Sequence, residues 1–282
     1  MVIKVIVTGL PRSGTTITYE LIARNNRGKA LYLYEPFTPV LHDLFQKYGV
    51  NATLHDQLDV THDYGRIDGK IVEMCRETAY TLLKNPKQIE NNVLDVINYL
   101  HSDSRNYVIK DLYIWLFIDK ILNKINNVKI VFTLRSFNGL YNAFMNWYVN
   151  DISFRKRVHA SIERVKKMSK KMLIKRIYRI FNVLKWWIIR KPCREWVYGL
   201  SPYCKYFNIA IPNHVNSETL HKILQEVYNI YVSIVEKVNT LDNVYVLKLE
   251  ELQEKTSKVI QELNNFLKPD FEIINYSFVK KI

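Results

Sequence analysis

The chain has 282 residues, nearly half of them apolar, with 19 Tyr and only 8 Gly, which is long enough to bury a sizeable core and too apolar to be largely disordered. Its three cysteines, Cys75, Cys193 and Cys204, are too few and too scattered for a disulfide framework, and no Cys-x-x-Cys pair or His spacing suits a metal site. The net charge is +14, and all of it lies between Arg155 and Arg194, where fifteen Lys or Arg face one acid, Glu163. The basicity therefore belongs to one segment and not to the fold.

Taken in order, Ile3 to Thr8 is a β-branched run that predicts a first strand. It is too short for an export signal and leads straight into a Gly-containing turn. Thr15 to Arg24 reads as a helix with Ile17, Leu21 and Ile22 on one face, and Leu31 to Tyr34 as a short strand. Val40 to Tyr48 is helical, and Gly49 to Ile71 reads as a loop rich in Asp, His and Gly. Helices follow at 75–84 and 90–101, a strand at 107–110 and a helix at 114–125. Val128 to Leu134 is the clearest internal strand, with a helix over 138–149 after it. Beyond the basic segment come a long helix at 219–238, a strand at 244–249 and a closing helix at 251–267. Alternation of this kind predicts an α/β fold: a parallel sheet with helices on both faces and ligands at the carboxyl ends of the strands. The expected organisation is one domain, residues 1–282, carrying a basic amphipathic helical insertion at about 151–195.

The strongest local signal is Gly9-Leu10-Pro11-Arg12-Ser13-Gly14-Thr15-Thr16, set between a strand and a helix. That context makes a phosphate loop: glycines let the backbone curl, and amides at the helix N-terminus face an anion. The spacing of Gly9 and Gly14 fits a nucleoside-triphosphate loop, but Thr15 stands where such a loop has Lys, and the base is Arg12 instead. A tight strand–helix turn without a ligand is the plainer alternative. Glu35, at the end of the second strand before Pro36, is a candidate general base or one half of an ion pair. His42 is the rival base, with a buried structural ring as its alternative. Arg135 ends the 128–134 strand, where a guanidinium can grip phosphate in two-pronged fashion or form a surface ion pair. Lys110-Asp111 closes another strand, and Asp111 reads equally as an orienting or a structural group.

Pro11-Arg12-Ser13-Gly14-Thr15-Thr16 resembles the 5′-phosphosulfate loop of sulfotransferases, with Arg in the style of the carbohydrate enzymes. The segment 31–37, the strand ending in Arg135, Val108-Ile109-Lys110-Asp111 and Val246 to Leu252 resemble further family segments in the same order. The resemblance implies a P-loop-type α/β fold and transfer of a sulfuryl group from 3′-phosphoadenosine-5′-phosphosulfate (PAPS) to a hydroxyl, leaving 3′-phosphoadenosine-5′-phosphate. It implies cofactor contacts from Arg12, Ser13, Gly14, Thr15 and Thr16 at the 5′ end, and from Arg135 at the 3′-phosphate. Ala143 replaces the family's Ser, which leaves Asn142 or Ser136 as donor there. Catalytic roles fall to Glu35, Arg12 and His42, without a metal. The segment around Glu35 points to a carbohydrate or glycolipid acceptor.

In the basic segment, Val158, Ile162, Val165, Met172 and Ile177 share a helical face, and Trp186 and Trp187 lie near one end. It reads as a peripheral helix on an anionic membrane surface, or as the wall of an anionic acceptor groove. No recognition motif accompanies the charge, so no nucleic acid is expected. No apolar run reaches the ~20 residues of a spanning helix, and the expected location is cytoplasmic, peripheral at the membrane under the first of these readings. Two rival functions stand beside the main one: a nucleotide or small-molecule kinase with a degenerate loop, and a catalytically silent anion- or membrane-binding protein.

Overall fold

The computed structural model describes residues 3–48, 60–125, 127–146, 193–212, 216–277 and 279. The chain divides into two compact units, Met1–Ser136 with Val227–Ile282, and Phe137–Glu226. The strands are β1 (Ile3–Gly9), β2 (Leu31–Tyr34), β3 (Tyr107–Asp111), β4 (Lys129–Leu134) and β5 (Val244–Lys248). The helices, in chain order, are α1 (Thr15–Asn25), α2 (Pro39–Tyr48), α3 (Gly69–Lys84), α4 (Ile89–Ser102), α5 (Ile118–Lys124), α6 (Phe137–Phe144), α7 (Cys193–Phe207), α8 (Ser217–Val238), α9 (Leu249–Glu254) and α10 (Thr256–Leu267).

In the first unit the five strands form one sheet in the order β2-β3-β1-β4-β5, with every pair parallel. β1, β2 and β3 are almost wholly buried, as near-continuous Val, Ile, Leu and Tyr runs must be when helices cover both faces. Neighbours along a strand point to opposite faces, and Val131 and Phe132 mark them. Val131 joins Val5, Val7, Tyr19, Ile22, Leu252 and Leu263 under α1, α9 and α10. Phe132 meets Tyr231 of α8 at 6.2 Å, which in turn meets Trp115 at 5.1 Å. Each such side chain taken from water contributes roughly 1.5–3 kcal/mol.

The sheet order fixes where a ligand is received. From β1 the chain crosses towards β2 at one edge, while from β4 it continues to β5 at the other. The crevice outside the carboxyl ends of β1 and β4 is thus a topological switch point. The loop Gly9 to Gly14 leaves β1 there, and Arg135 leaves β4 beside it.

Several boundaries differ from the sequence reading. The loop expected as far as Ile71 ends earlier, because the Asp68 carboxylate accepts a hydrogen bond from the Lys70 amide and starts α3 at Gly69. The helix read over 114–125 is a 3-10 turn, Ile114–Phe117, followed by α5. The closing helix is two helices, parted at Lys255, where the Thr256 hydroxyl bonds back to the Leu252 carbonyl at 2.8 Å.

The second unit holds α6, α7 and the first turns of α8. Phe137 and Tyr141 of α6 each pack edge-on to His221, with centroids 5.0 Å apart. Leu140, Phe144, Tyr203, Cys204 and Leu224 are buried. α7, with Pro202 inside it, was not read from the sequence. The basic segment, 155–194, lies outside the described residues except for its carboxyl end. Among the described residues no helix is long and apolar enough to cross a membrane, and Cys75 and Cys204 are free, buried thiols.

Candidate active site

The loop is built by close packing before any ligand is considered. Gly9 lies beside Thr133 of β4, and a Cβ on it would stand 2.5 Å from Thr133 Oγ1 and 2.8 Å from Ser13 Oγ. Only glycine tolerates that approach. Ser13 turns inward, with its hydroxyl donating to the Leu10 carbonyl (2.7 Å) and sharing a 2.7 Å hydrogen bond with Thr133. The Ser13 amide also donates to Leu10 (3.1 Å). Ser13 therefore shapes the loop: its side chain is 1 % exposed, and both of its donors are occupied within the fold.

Gly14 caps α1 with φ +102°, a left-handed conformation that glycine adopts without strain. No side chain caps this helix. Its first backbone bond closes from Thr18 to the Gly14 carbonyl, so the amides of Thr15, Thr16 and Ile17 stand at the open N-terminus. Arg12 has φ +69° and an exposed side chain. Its carbonyl accepts a hydrogen bond from the Arg135 guanidinium (3.2 Å), and the Arg135 carbonyl accepts one from the Tyr228 hydroxyl (3.0 Å). Arg12 and Arg135 thus meet at the mouth of the loop. The uncapped helix end, the glycine cradle and two guanidinium groups suit a phosphate-rich anion.

Ser136, one of the two substitutes for the absent family Ser, is engaged elsewhere. Glu250 of α9 accepts from its amide (3.0 Å) and its hydroxyl (2.9 Å). Burial opposes the charge on Glu250, but these hydrogen bonds and the neighbouring Arg135 hold its carboxyl below the usual range. Asn142 lies exposed on α6, in the second unit.

Glu35 follows β2 with φ +51°, an uncommon backbone state for a non-glycine residue and one that gathers at functional sites. The turn is held from three sides. The Glu35 amide donates to the Lys110 carbonyl (2.6 Å). The Asp111 carboxylate accepts from the Phe37 amide (3.0 Å) and the Tyr113 amide (2.7 Å). His42 Nε2 lies 2.7 Å from the Pro36 carbonyl; against that acceptor the nitrogen carries hydrogen and donates. The His42 ring is 2 % exposed, and burial lowers its pKa. Its position is that of a neutral brace for the turn. Asp111 is fully buried, and desolvation pushes its carboxyl up to about 7.

Two groups that the sequence reading did not place at the site stand beside Glu35. Lys110 Nζ, 1 % exposed in its side chain, pairs with the Glu35 carboxylate and lies 4.5 Å from the Tyr34 ring centroid. The Tyr34 hydroxyl and Thr16 Oγ1 share a hydrogen bond at 3.1 Å. A chain of contacts thus runs from the helix N-terminus through Thr16 and the Tyr34 ring to Lys110 and, across the ion pair, to Glu35. The signal for Lys110 was a Lys closing an otherwise apolar strand; nothing in the sequence singled out Tyr34. Among the described residues no group of His, Cys, Asp or Glu is arranged to hold a metal ion.

A parallel sheet with a glycine-cradled, uncapped helix at its switch point defines a P-loop-type anion-binding α/β protein, and the absence of the loop lysine separates it from the triphosphate users. The chain belongs to the sulfotransferase family: the model of that family matches residues 4–181, a span that includes the loop, Glu35, Lys110 and Arg135. No curated protein matches the chain. It is accordingly a transferase that uses PAPS and moves a sulfuryl group to a hydroxyl acceptor, which displaces the kinase reading.

Proposed function

We propose that the protein sulfates a sugar hydroxyl, on a glycolipid or polysaccharide, by in-line displacement at sulfur. The observation that carries this reading is the chain of contacts from the loop to Glu35, which sets a carboxylate beside an anion site across neighbouring strands. Glu35 accepts the proton of the attacking hydroxyl as its oxygen bonds to sulfur. The bond from sulfur to the bridging oxygen breaks, and 3′-phosphoadenosine-5′-phosphate leaves. Arg12 and the amides of Gly14, Thr15 and Thr16 take up the charge that gathers on the leaving phosphate. Arg135 holds the 3′-phosphate. Lys110 fixes the Glu35 carboxylate and offers a cation near the transferring group. Ser13 and His42 serve this site as loop and turn supports. The reaction depends on positioning more than on covalent chemistry. The basic segment 155–194 supports an anionic membrane or acceptor surface, and deleting it tests this: unchanged liposome binding excludes the membrane.

Calorimetric titration with 3′-phosphoadenosine-5′-phosphate, against ATP with Mg²⁺, tests the donor. Micromolar binding of the bisphosphate that is lost in Arg12→Ala is expected; preference for Mg–ATP overturns the reading. Incubation with radiolabelled PAPS and a panel of glycans, glycolipids and phenols tests the acceptor. Label confined to phenols overturns the carbohydrate assignment.

A further inference from the structure

We propose that Glu250 is a specificity-determining residue of the donor site: its carboxylate holds the hydrogen-bond donors just past β4, and a 3′-phosphate must take them from it. The inference rests on the reading of Arg135 as the group at the 3′ end. The first turn of α9 stands against the loop and the strand end together. A Cβ on Gly14 would lie 2.9 Å from Leu249 Cδ1, so Leu249 packs on the loop itself. Glu250, the next residue, reaches Ser136, which follows Arg135. One carboxylate oxygen, Oε1, accepts from both the Ser136 amide (3.0 Å) and the Ser136 hydroxyl (2.9 Å). The carbonyl of that same peptide unit, from Arg135, accepts from the Tyr228 hydroxyl at 3.0 Å.

A backbone N–H and a hydroxyl next in the chain to an arginine are donors that suit a phosphate. Here an anion of the chain's own already has both. Burial opposes the charge on Glu250, but the hydrogen bonds from Ser136 hold its carboxyl below the usual range, so it stays ionised at neutral pH. A carboxylate and a phosphate cannot share these donors without facing each other as like charges. Ser136 is exposed and Glu250 half-buried, which leaves the side chain room to turn outward. Arrival of a 3′-phosphate therefore displaces the carboxylate, and Ser136 donates to phosphate instead. The exchange offsets part of the attraction of Arg135. A nucleotide without a 3′-phosphate leaves Glu250 where it is. The product keeps the same 3′-phosphate as the donor, so return of Glu250 to Ser136 favours its departure.

The test needs no knowledge of the acceptor. The whole chain is titrated calorimetrically with 3′-phosphoadenosine-5′-phosphate and with adenosine 5′-monophosphate, which differs from it by the 3′-phosphate alone. Glu250→Gln removes the charge but keeps a carbonyl oxygen that accepts both Ser136 hydrogens, so the tie between β4 and α9 survives. This variant is expected to bind the bisphosphate about five-fold tighter or more, and the monophosphate within about two-fold of wild type. Unchanged or weaker binding of the bisphosphate overturns the exchange and leaves Glu250 as a structural tie. Equal tightening of both nucleotides overturns it as well, since a general change of field does not single out the 3′ end. No binding of either nucleotide by the wild type overturns the functional reading together with it.

Discussion

Lys110 and Glu35 form an ion pair across the carboxyl ends of β3 and β2, with side chains 1 % and 14 % exposed. An enclosed pair of this kind is a poor source of stability, since removing two charges from water offsets most of their attraction. Its value lies in where it holds the carboxylate: Lys110 is fixed by its strand and by the Tyr34 ring, and Glu35 has little freedom left. Breaking one side of a buried pair costs about 3–5 kcal/mol. Glu35→Ala should fall at the upper end, because it strands the more deeply buried ammonium, and Lys110→Met lower. The joint variant Glu35→Gln/Lys110→Met should recover most of the stability and none of the turnover. Urea denaturation beside a transfer assay reads both, and single variants as stable as wild type would show that the pair is not enclosed in solution.

The loop makes a different prediction. Gly9→Ala places a methyl group 2.5 Å from Thr133 Oγ1, and neither this strand nor the Ser13 turn has room to yield. Overpacking of this kind costs about 1–3 kcal/mol. Because Ser13 and Thr133 share the hydrogen bond that closes the loop, the variant should lose affinity for 3′-phosphoadenosine-5′-phosphate as well as stability. Ser13→Ala should show the same pairing of effects in milder form. Intact affinity in a destabilised Gly9→Ala would place the anion somewhere other than this loop.

Arg135 is tied to the loop by its bond to the Arg12 carbonyl. Removing a charge-assisted hydrogen bond costs about 1.5–3 kcal/mol, or roughly 10- to 150-fold in affinity. Arg135→Ala should weaken binding of 3′-phosphoadenosine-5′-phosphate by that factor. It should weaken adenosine-5′-phosphosulfate, which lacks the 3′-phosphate, much less. Equal losses for both ligands would assign Arg135 to loop support rather than to the 3′ end.

What the sequence made legible was local. β1, β2, β4 and α1 are apolar runs bounded by Gly or by a change of period, and the loop between β1 and α1 carries its chemistry in consecutive residues. Glu35 and Arg135 stood out because each closes a strand. The partners of Glu35 did not, since they follow from β3 lying beside β2, an adjacency that strand order along the chain leaves open. Lys110 and Tyr34 meet only through that register. Ser13 and His42 were read as a cofactor donor and a rival base by residue type, while their partners, Leu10, Thr133 and Pro36, are fixed by the folded turn. α7 was hidden by Gly199 and Pro202, residues that ordinarily interrupt a helix.

Asp111 links this site to pH. An aspartate titrates near ~3.9 in an unfolded chain, whereas burial pushes Asp111 up to about 7 in the fold. Between those values the native protein holds a proton that the unfolded chain has released. The contribution of Asp111 to stability is therefore fully present below the unfolded value and is lost as pH rises through about 7. Asp111→Asn cannot titrate. Its amide nitrogen also cannot accept the second of the two backbone N–H groups, from Phe37 and Tyr113, which leaves one unsatisfied at a cost of about 1–3 kcal/mol. The variant should thus be less stable than wild type at about pH 5, and the gap should narrow by about pH 8. Urea midpoints at the two pH values measure this. A gap that stays constant would mean that Asp111 is ionised throughout, with its two backbone hydrogen bonds outweighing the burial of its charge.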